Sequence, residues 1–234
     1  MSFVNRISTF LVSTDFFPLG VTKMSSDVPL LELTKGVELV SEQNAQFLQE
    51  GYKQTAYFDE EVNEKIPVLM INVNADNIID VFLDLISELG EVVDVFLNRS
   101  DEKDKGNNIK LFRGCIEQVI LRSYIEEHKD LLLNDGFVGI AVQESGSDGK
   151  FSQEIFLDEH KVLIIYSYNL EKFEKILKSH GTYKNDDMEF IYDLDHIHDG
   201  DESSDEFIEL ATQLCAEEDP SDDRSSESDF DYSY

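Results

Sequence analysis

Apolar residues are concentrated in the stretch 131–181, where three strand-like runs precede one amphipathic helix. The runs are residues 137–143, 151–157 and 161–168. A connection rich in glycine and serine separates the first two runs and favours a hairpin between them. Because this stretch carries the most apolar surface of the chain, we expect it to form the centre of the fold.

The segment upstream predicts a strand, a helix and a second strand. Residues 66–74 are almost continuously apolar, which is typical of a strand covered on both faces. Residues 75–90 carry a helical apolar stripe and end at Gly90, where glycine adopts a left-handed conformation at little cost. Residues 91–98 return to a strand-like pattern. If the two strands are parallel, the three elements form a βαβ unit.

Further elements complete the predicted order. The pattern predicts a helix over residues 115–127, a helix capped by Asn169, and a last strand over residues 188–194. Cys115 is interpreted as a buried core residue at the start of its helix. The predicted fold is therefore α/β or α+β, a single domain with a mixed sheet of five to six strands and packed helices.

The two ends of the chain differ from its middle. Residues 1–62 lack a clean period and are predicted as a poorly specified N-terminal extension, followed by a core domain at 63–195. Residues 196–234 are predicted as an acidic tail with one short amphipathic helix at 203–216. Its last part, residues 217–234, is acidic, serine-rich and poor in apolar residues, so we expect disorder there.

The charge of the chain narrows the choice of partners. It has 19 basic and 50 acidic residues and a formal net charge of −31. A surface this negative repels nucleic-acid phosphates and anionic membranes, so neither is expected as a partner. It attracts basic protein surfaces and metal ions, and acidity that only confers solubility is an equal alternative.

Two features bear on the compartment. Cys115 and Cys215 are too few for a disulfide framework, which favours a reducing cytoplasm. The apolar run after Arg6 is interrupted by Asp15, which predicts that the chain has no signal peptide. An alternative hypothesis is that translation begins at Met24.

A loop of carboxylates after the last predicted strand matches part of the EF-hand calcium pattern. Gly200 stands at the turn position, but Ile197 occupies a position that normally supplies a ligand. An acidic segment also produces such spacing by chance. The candidate calcium ligands are Asp195, Asp199, Asp201 and Glu206.

Two histidines in the same segment suggest zinc instead. His196 and His198 are two residues apart and share one face of a strand, so together they can hold a zinc ion. The sequence fixes no third or fourth ligand, and the alternative is a pair of exposed histidines at a strand end. Asp158, Glu159 and His160 contain acid–base groups, but neighbours on a turn are expected to point apart rather than form a dyad.

No phosphate-binding glycine loop, nucleophile elbow or pair of redox cysteines occurs in the chain. We therefore expect a non-catalytic interaction module that binds a basic partner, with the helix at 203–216 as its docking element. Two alternatives stay open: a metal-responsive protein that uses residues 195–206, and an enzyme with a non-local site. For such an enzyme, Asn74, Asn98 and Asn169 are expected at the carboxyl ends of parallel strands.

Overall fold

The fold is α+β and is built on one eight-stranded antiparallel sheet. The computed structural model describes residues 30–59, 63–100, 108–145, 153–200 and 205–218. The strands are β1 (Val37–Leu39), β2 (Gly51–Asp59), β3 (Glu64–Asn72), β4 (Val92–Arg99), β5 (Ile109–Glu117), β6 (Val138–Glu144), β7 (Gln153–Leu157), β8 (Leu163–Ser167), β9 (His196–His198) and β10 (Glu217–Glu218). The α-helices are α1 (Ile78–Ile86), α2 (Gln118–Glu127), α3 (Lys129–Asn134), α4 (Glu171–Ser179) and α5 (Asp205–Leu214), and 3₁₀ turns occur at Glu42–Phe47, Ser87–Leu89 and Ile191–Asp193.

The sheet is larger and more regular than the sequence predicts. Its strand order is β10-β5-β4-β6-β7-β8-β3-β2, and every neighbouring pair is antiparallel. The prediction of a mixed sheet of five to six strands is therefore wrong. β3 and β4 do run in the same direction, but three strands lie between them, so the connection through α1 does not join neighbours. An apolar pattern identifies strands without identifying the strands they pair with.

The sheet is covered on both faces, which explains the continuous apolar runs of its central strands. One face packs under the α-helices, and Leu69 of β3 belongs to this first core. Val68, the preceding residue, points to the opposite face and belongs to a second core. That second core is closed by residues from the segments 31–48 and 188–194, which contain little regular structure.

Three local predictions need correction. Residues 188–194 form no strand; they contain the 3₁₀ turn at Ile191–Asp193, which packs on the second core. Cys115 lies in β5 rather than in a helix, and its side chain is exposed at a bulge with a left-handed backbone (φ 55°). Residues 51–59, assigned by the sequence to the N-terminal extension, form the edge strand β2 and pair with β3 along their full length.

The C-terminal helix packs on its own domain. It forms α5, within the range 203–216 that the sequence predicts, and Phe207, Leu210 and Leu214 are buried in the first core. Its apolar face is therefore not available as a docking element for a partner. Residues 217–218 form β10, and the rest of the segment predicted to be disordered lies outside the described residues. No helix in the described ranges is long and apolar enough to cross a membrane.

Candidate metal centre

One edge of the eight-stranded sheet carries a tight turn with a histidine. β3, β4 and β7 end at this edge, and β6 and β8 begin there; we call it the site edge. The connection between β7 and β8 contains His160. Asp158 Oδ1 accepts the backbone N–H of Val162 at 2.8 Å, and Lys161 has a left-handed backbone (φ 62°). These two features fold the connection back on itself and fix the position of His160.

β1 and β9 form a separate two-stranded antiparallel ribbon; one backbone hydrogen bond fastens it to the segment before β6, and another extends the pairing of its own two strands. The Gly136 N–H donates to the Asp199 carbonyl at 2.7 Å, and the Asp199 N–H donates to the Gly36 carbonyl at 2.9 Å. A Cβ atom on Gly136 would run into the Gly36 carbonyl oxygen. The close approach of the two backbones therefore requires glycine at position 136.

Three histidine rings meet where the ribbon approaches the site edge. His196 and His198 lie on one face of β9, with ring centroids 5.2 Å apart. The ring of His160 lies 5.0 Å from that of His196 and 4.7 Å from that of His198. One ring nitrogen of each histidine lies within 4.8 Å of the other two. All three residues are partly buried, and the His160 side chain keeps 11% of its surface exposed.

Each ring is oriented by an oxygen atom at Nδ1. A carbonyl oxygen in this position requires a proton on Nδ1, so Nε2 keeps its lone pair. Metal-binding histidines are characteristically held in this way by carboxylates and backbone carbonyls behind them. The three pairs are His160 Nδ1 with Asp158 Oδ2 (3.3 Å), His196 Nδ1 with the Leu194 carbonyl (2.8 Å), and His198 Nδ1 with the Gly136 carbonyl.

The spacing of the rings fits a tetrahedral ion after small adjustments. At metal–nitrogen distances of about 2.0–2.1 Å, tetrahedral ligand atoms lie about 3.4 Å apart. The nitrogens are at most 4.8 Å apart, so they must close by about 1.4 Å or less, and histidine χ2 is a soft torsion. Imidazole suits zinc, copper, nickel and iron, whereas calcium and magnesium prefer oxygen ligands. Three protein ligands would leave a fourth coordination position open.

The surroundings shift the pKa values of two of the histidines in opposite directions. Burial lowers the pKa of His160, but the hydrogen bond and charge of Asp158, together with the charge of Glu159, outweigh burial and raise it. Burial lowers the pKa of His198, and the other two rings act in the same direction, against the effect of the Gly136 carbonyl. A lowered pKa keeps His198 neutral at neutral pH, which is the form that binds a metal.

Asp158 connects the histidine cluster to the interior of the protein. Its side chain is buried, and Oδ2 accepts a hydrogen bond from the Tyr192 hydroxyl as well as facing His160. The Tyr192 ring packs against the His160 ring at 4.5 Å. Burial and the charge of Asp158 raise the pKa of Tyr192 well above its usual value, so its hydroxyl remains a donor. Three donors therefore converge on one buried carboxylate behind the cluster.

The residues on either side of His160 brace the turn. Lys161 Nζ donates to two backbone carbonyls around the start of β6, at 2.7 and 2.8 Å, and burial lowers the pKa of Lys161 to about 8. Glu159 Oε2 accepts a hydrogen bond from Asn98 Nδ2 at 3.4 Å. The turn is thus tied to β6 on one side and to β4 on the other.

The carboxylates predicted as calcium ligands are not assembled in the described residues. Asp195 and Asp199 flank β9, whereas Glu206 lies on α5 with its carboxylate 3.6 Å from His128 Nδ1. Asp201 lies outside the described residues. In the part of the chain that the structure describes, the group of three ligand-type side chains is the histidine cluster.

The two histidines predicted as zinc ligands gain a third ring that the sequence does not indicate. The expectation that Asp158 and His160 point apart is wrong, because the turn brings the His160 ring back to the Asp158 carboxylate. The HxH pattern gives no information about this partner, which comes from another sheet. The only available signal was a turn with an acidic residue two positions before a histidine.

The asparagines considered for an enzyme site are divided between two edges. Asn74 and Asn98 lie at or near the site edge, but Asn169 follows β8, which runs antiparallel to β3, and so lies at the opposite edge. A cavity of about 20 Å³ lies beside His160, which is room for about one water molecule. These residues therefore do not outline a common cleft.

The chain matches no protein-family model, no curated protein and no solved structure. The arrangement of the three rings can hold one divalent ion of borderline softness through neutral imidazole nitrogens.

Proposed function

We propose that this protein binds a divalent transition-metal ion, with zinc as the reference ion, through His160, His196 and His198. The observation that carries the proposal is the convergence of three rings whose Nδ1 atoms all face oxygen atoms. A neutral ring that carries its proton on Nδ1 has only a lone pair at Nε2, so two such rings cannot hydrogen-bond to each other through Nε2. A metal ion supplies the positive charge that such a group attracts.

The composition of the chain supports cation binding. Its net charge of −31 creates a negative potential that raises the local concentration of cations around the protein. The same potential does not select a particular ion. Selectivity comes instead from the ligand atoms, because three imidazole nitrogens favour zinc and its neighbours over calcium or magnesium.

The proposal is tested by titrating the full chain with Zn²⁺ in competition with a chromophoric chelator. We expect one ion per chain, and Co²⁺ should give the visible absorption of a tetrahedral nitrogen site. Zinc sites with four protein ligands bind with about 10–16 kcal/mol, so one ligand contributes about 3 kcal/mol and its loss weakens binding about 100-fold or more. His198→Ala should show this loss.

His180→Ala is the matched control, because His180 is a histidine outside the cluster that pairs with Asp84 at 2.8 Å. It should bind zinc as the unchanged chain does. Equal zinc affinity in the His198→Ala chain, or no binding by the unchanged chain, would refute the proposal. Millimolar Ca²⁺ should not displace zinc; a calcium-dependent rise in melting temperature that Asp199→Ala abolishes would instead support the carboxylate loop.

The excess of acidic residues supports a second proposal, a basic protein partner held by exposed carboxylates. Because the apolar face of α5 is buried, such binding would be electrostatic and would weaken as salt is raised. A chain that ends after Glu218 keeps α5 and β10 and removes only the acidic segment beyond them. Capture of a basic protein by the full chain, but not by this shortened chain, would support the proposal; equal capture at all salt concentrations would contradict it.

A further inference from the structure

The three histidines belong to two different sheets. His160 lies in the connection between β7 and β8 of the eight-stranded sheet. His196 and His198 lie in β9, whose partner is β1 in the two-stranded ribbon. An ion bound by all three rings would therefore join the ribbon to the sheet. This inference rests on the proposed function, because it requires that the ion binds.

Among the described residues, β9 is the weakly attached strand of the ribbon, whereas β1 is anchored by Val37, which is buried in the second core. β1 and β9 pair over three residues, and the side chains of β9 are half-buried or exposed. Beyond this pairing, His198 and Asp199 bond to Gly136, which precedes β6, and Asp199 also bonds to Gly36, which precedes β1. A short strand with little burial, such as β9, is marginally stable and opens locally while the rest of a protein remains folded.

We infer that metal occupancy controls the docking of the ribbon on the sheet. With the ion bound, two ligands from β9 and one from the β7–β8 connection hold the ribbon against the site edge. Without the ion, β9 opens locally and the eight-stranded sheet stays intact. If the open ribbon does not bind the ion, free zinc at 100 times its dissociation constant lowers the open population about 100-fold.

Opening of the ribbon would change the surface of the protein. Val37 in β1 is buried in the second core, and Leu39 and Leu194 pack against that core at the two sides of the ribbon. Release of the ribbon would therefore expose apolar side chains on the face of the sheet that no α-helix of the described residues covers. The ion would act as a clip that keeps this face closed.

Hydrogen–deuterium exchange of the full chain tests the inference. Peptides covering residues 36–40 and 194–200 are compared with a reference peptide from β6, with chelator and with saturating Zn²⁺. Zinc should slow exchange in the two ribbon peptides by about 100-fold and leave the β6 peptide unchanged. His180→Ala should behave as the unchanged chain does.

Two variants separate the clip from simple binding. His160→Ala removes the one ligand from the eight-stranded sheet, so zinc held by the remaining pair should no longer slow exchange in the ribbon. His160→Gln is the second variant, because its amide can still donate to Asp158 if the shortened side chain proves destabilising.

Zinc affinity is measured separately on the same samples. Binding without slower exchange in the ribbon peptides would overturn the clip and leave the proposed function standing. Slower exchange in the β6 peptide by the same factor would also overturn it, because the effect would then be global. Absence of binding would overturn the clip and the proposed function together.

Discussion

Replacement of Asp158 by asparagine tests whether the carboxylate behind His160 belongs to the metal centre. Asp158→Asn keeps the size of the side chain and an oxygen that can accept the Val162 N–H, which now bonds to Oδ1 at 2.8 Å. It removes the negative charge that faces His160 Nδ1 at 3.3 Å. We expect weaker zinc binding because a charged acceptor both orients the ring and increases the basicity of the opposite nitrogen.

The size of this effect can be bounded from the geometry. The 3.3 Å contact, the width of the imidazole ring and one metal–nitrogen bond place the carboxylate charge about 7 Å from a bound ion. At that distance a single negative charge attracts a dication by about 1.2 kcal/mol in water and about 5 kcal/mol at an effective dielectric constant near 20. Measured losses for such outer partners, about 10- to 100-fold or 1.4–2.8 kcal/mol, lie between these limits.

The assay is the same chelator competition at fixed pH and ionic strength. Tyr192→Phe is the matched control, since it removes another hydrogen bond to Asp158 Oδ2 but leaves the charge in place. Its zinc affinity should stay within about threefold of the unchanged chain. Nitrogen NMR of the His160 ring should show loss of a fixed Nδ1–H form only in Asp158→Asn. Unchanged affinity in Asp158→Asn, or an equal loss in both variants, would refute the role assigned to the carboxylate.

Three further predictions concern the fold. Leu210→Ala should lower the free energy of unfolding in urea by about 2–5 kcal/mol, because Leu210 lies on the buried face of α5. Ile208→Ala, on the exposed face of the same helix, should change it by less than about 0.5 kcal/mol. Equal effects of the two changes would mean that α5 does not pack as described. Gly136→Ala should lower the free energy of unfolding by about 1–3 kcal/mol and speed hydrogen–deuterium exchange in β9, because the new methyl group meets the Gly36 carbonyl. Exchange in β9 as slow as in the unchanged chain would contradict the close contact. Burial and the charge of Glu174 raise the pKa of Tyr52 to about 12. Its contribution to the free energy of unfolding is therefore complete below pH 10 and is lost between pH 10 and 12. The free energy of unfolding should fall less steeply over this range in Tyr52→Phe than in the unchanged chain.

Local apolar patterns predict the elements in which the pattern is strong. The strand at 66–74 and the helix at 75–90 correspond to β3 and α1, since the first is a continuous apolar run and the second carries an uninterrupted helical stripe. β5 was missed because its pattern is broken at Gly114 and Cys115, where a bulge shifts the register against β4. β2 was missed because it is an edge strand, with alternating exposed positions that a polar segment also shows.

Local patterns do not determine how many strands the sheet contains or whether neighbouring strands run parallel or antiparallel. Hydrophobic alternation reports which face of a strand is buried but not which strand lies next to it. The connection from β3 through α1 to β4 has the signature of a parallel neighbour pair, and three later strands fill the space between them. The prediction of a mixed sheet followed from treating strands that are close in sequence as neighbours in space.

The sequence could not indicate that His160 belongs to the same cluster as His196 and His198. The spacing of His196 and His198 is a local property of one strand, so the sequence could indicate that pair. His160 reaches them only because β7 pairs with β8, which places the connecting turn at the site edge, and because the β1–β9 ribbon docks beside that turn. Its orientation then depends on a turn that the left-handed backbone at Lys161 permits. A site assembled from two sheets is visible only after both are folded, and the same feature is what allows an ion to control their contact.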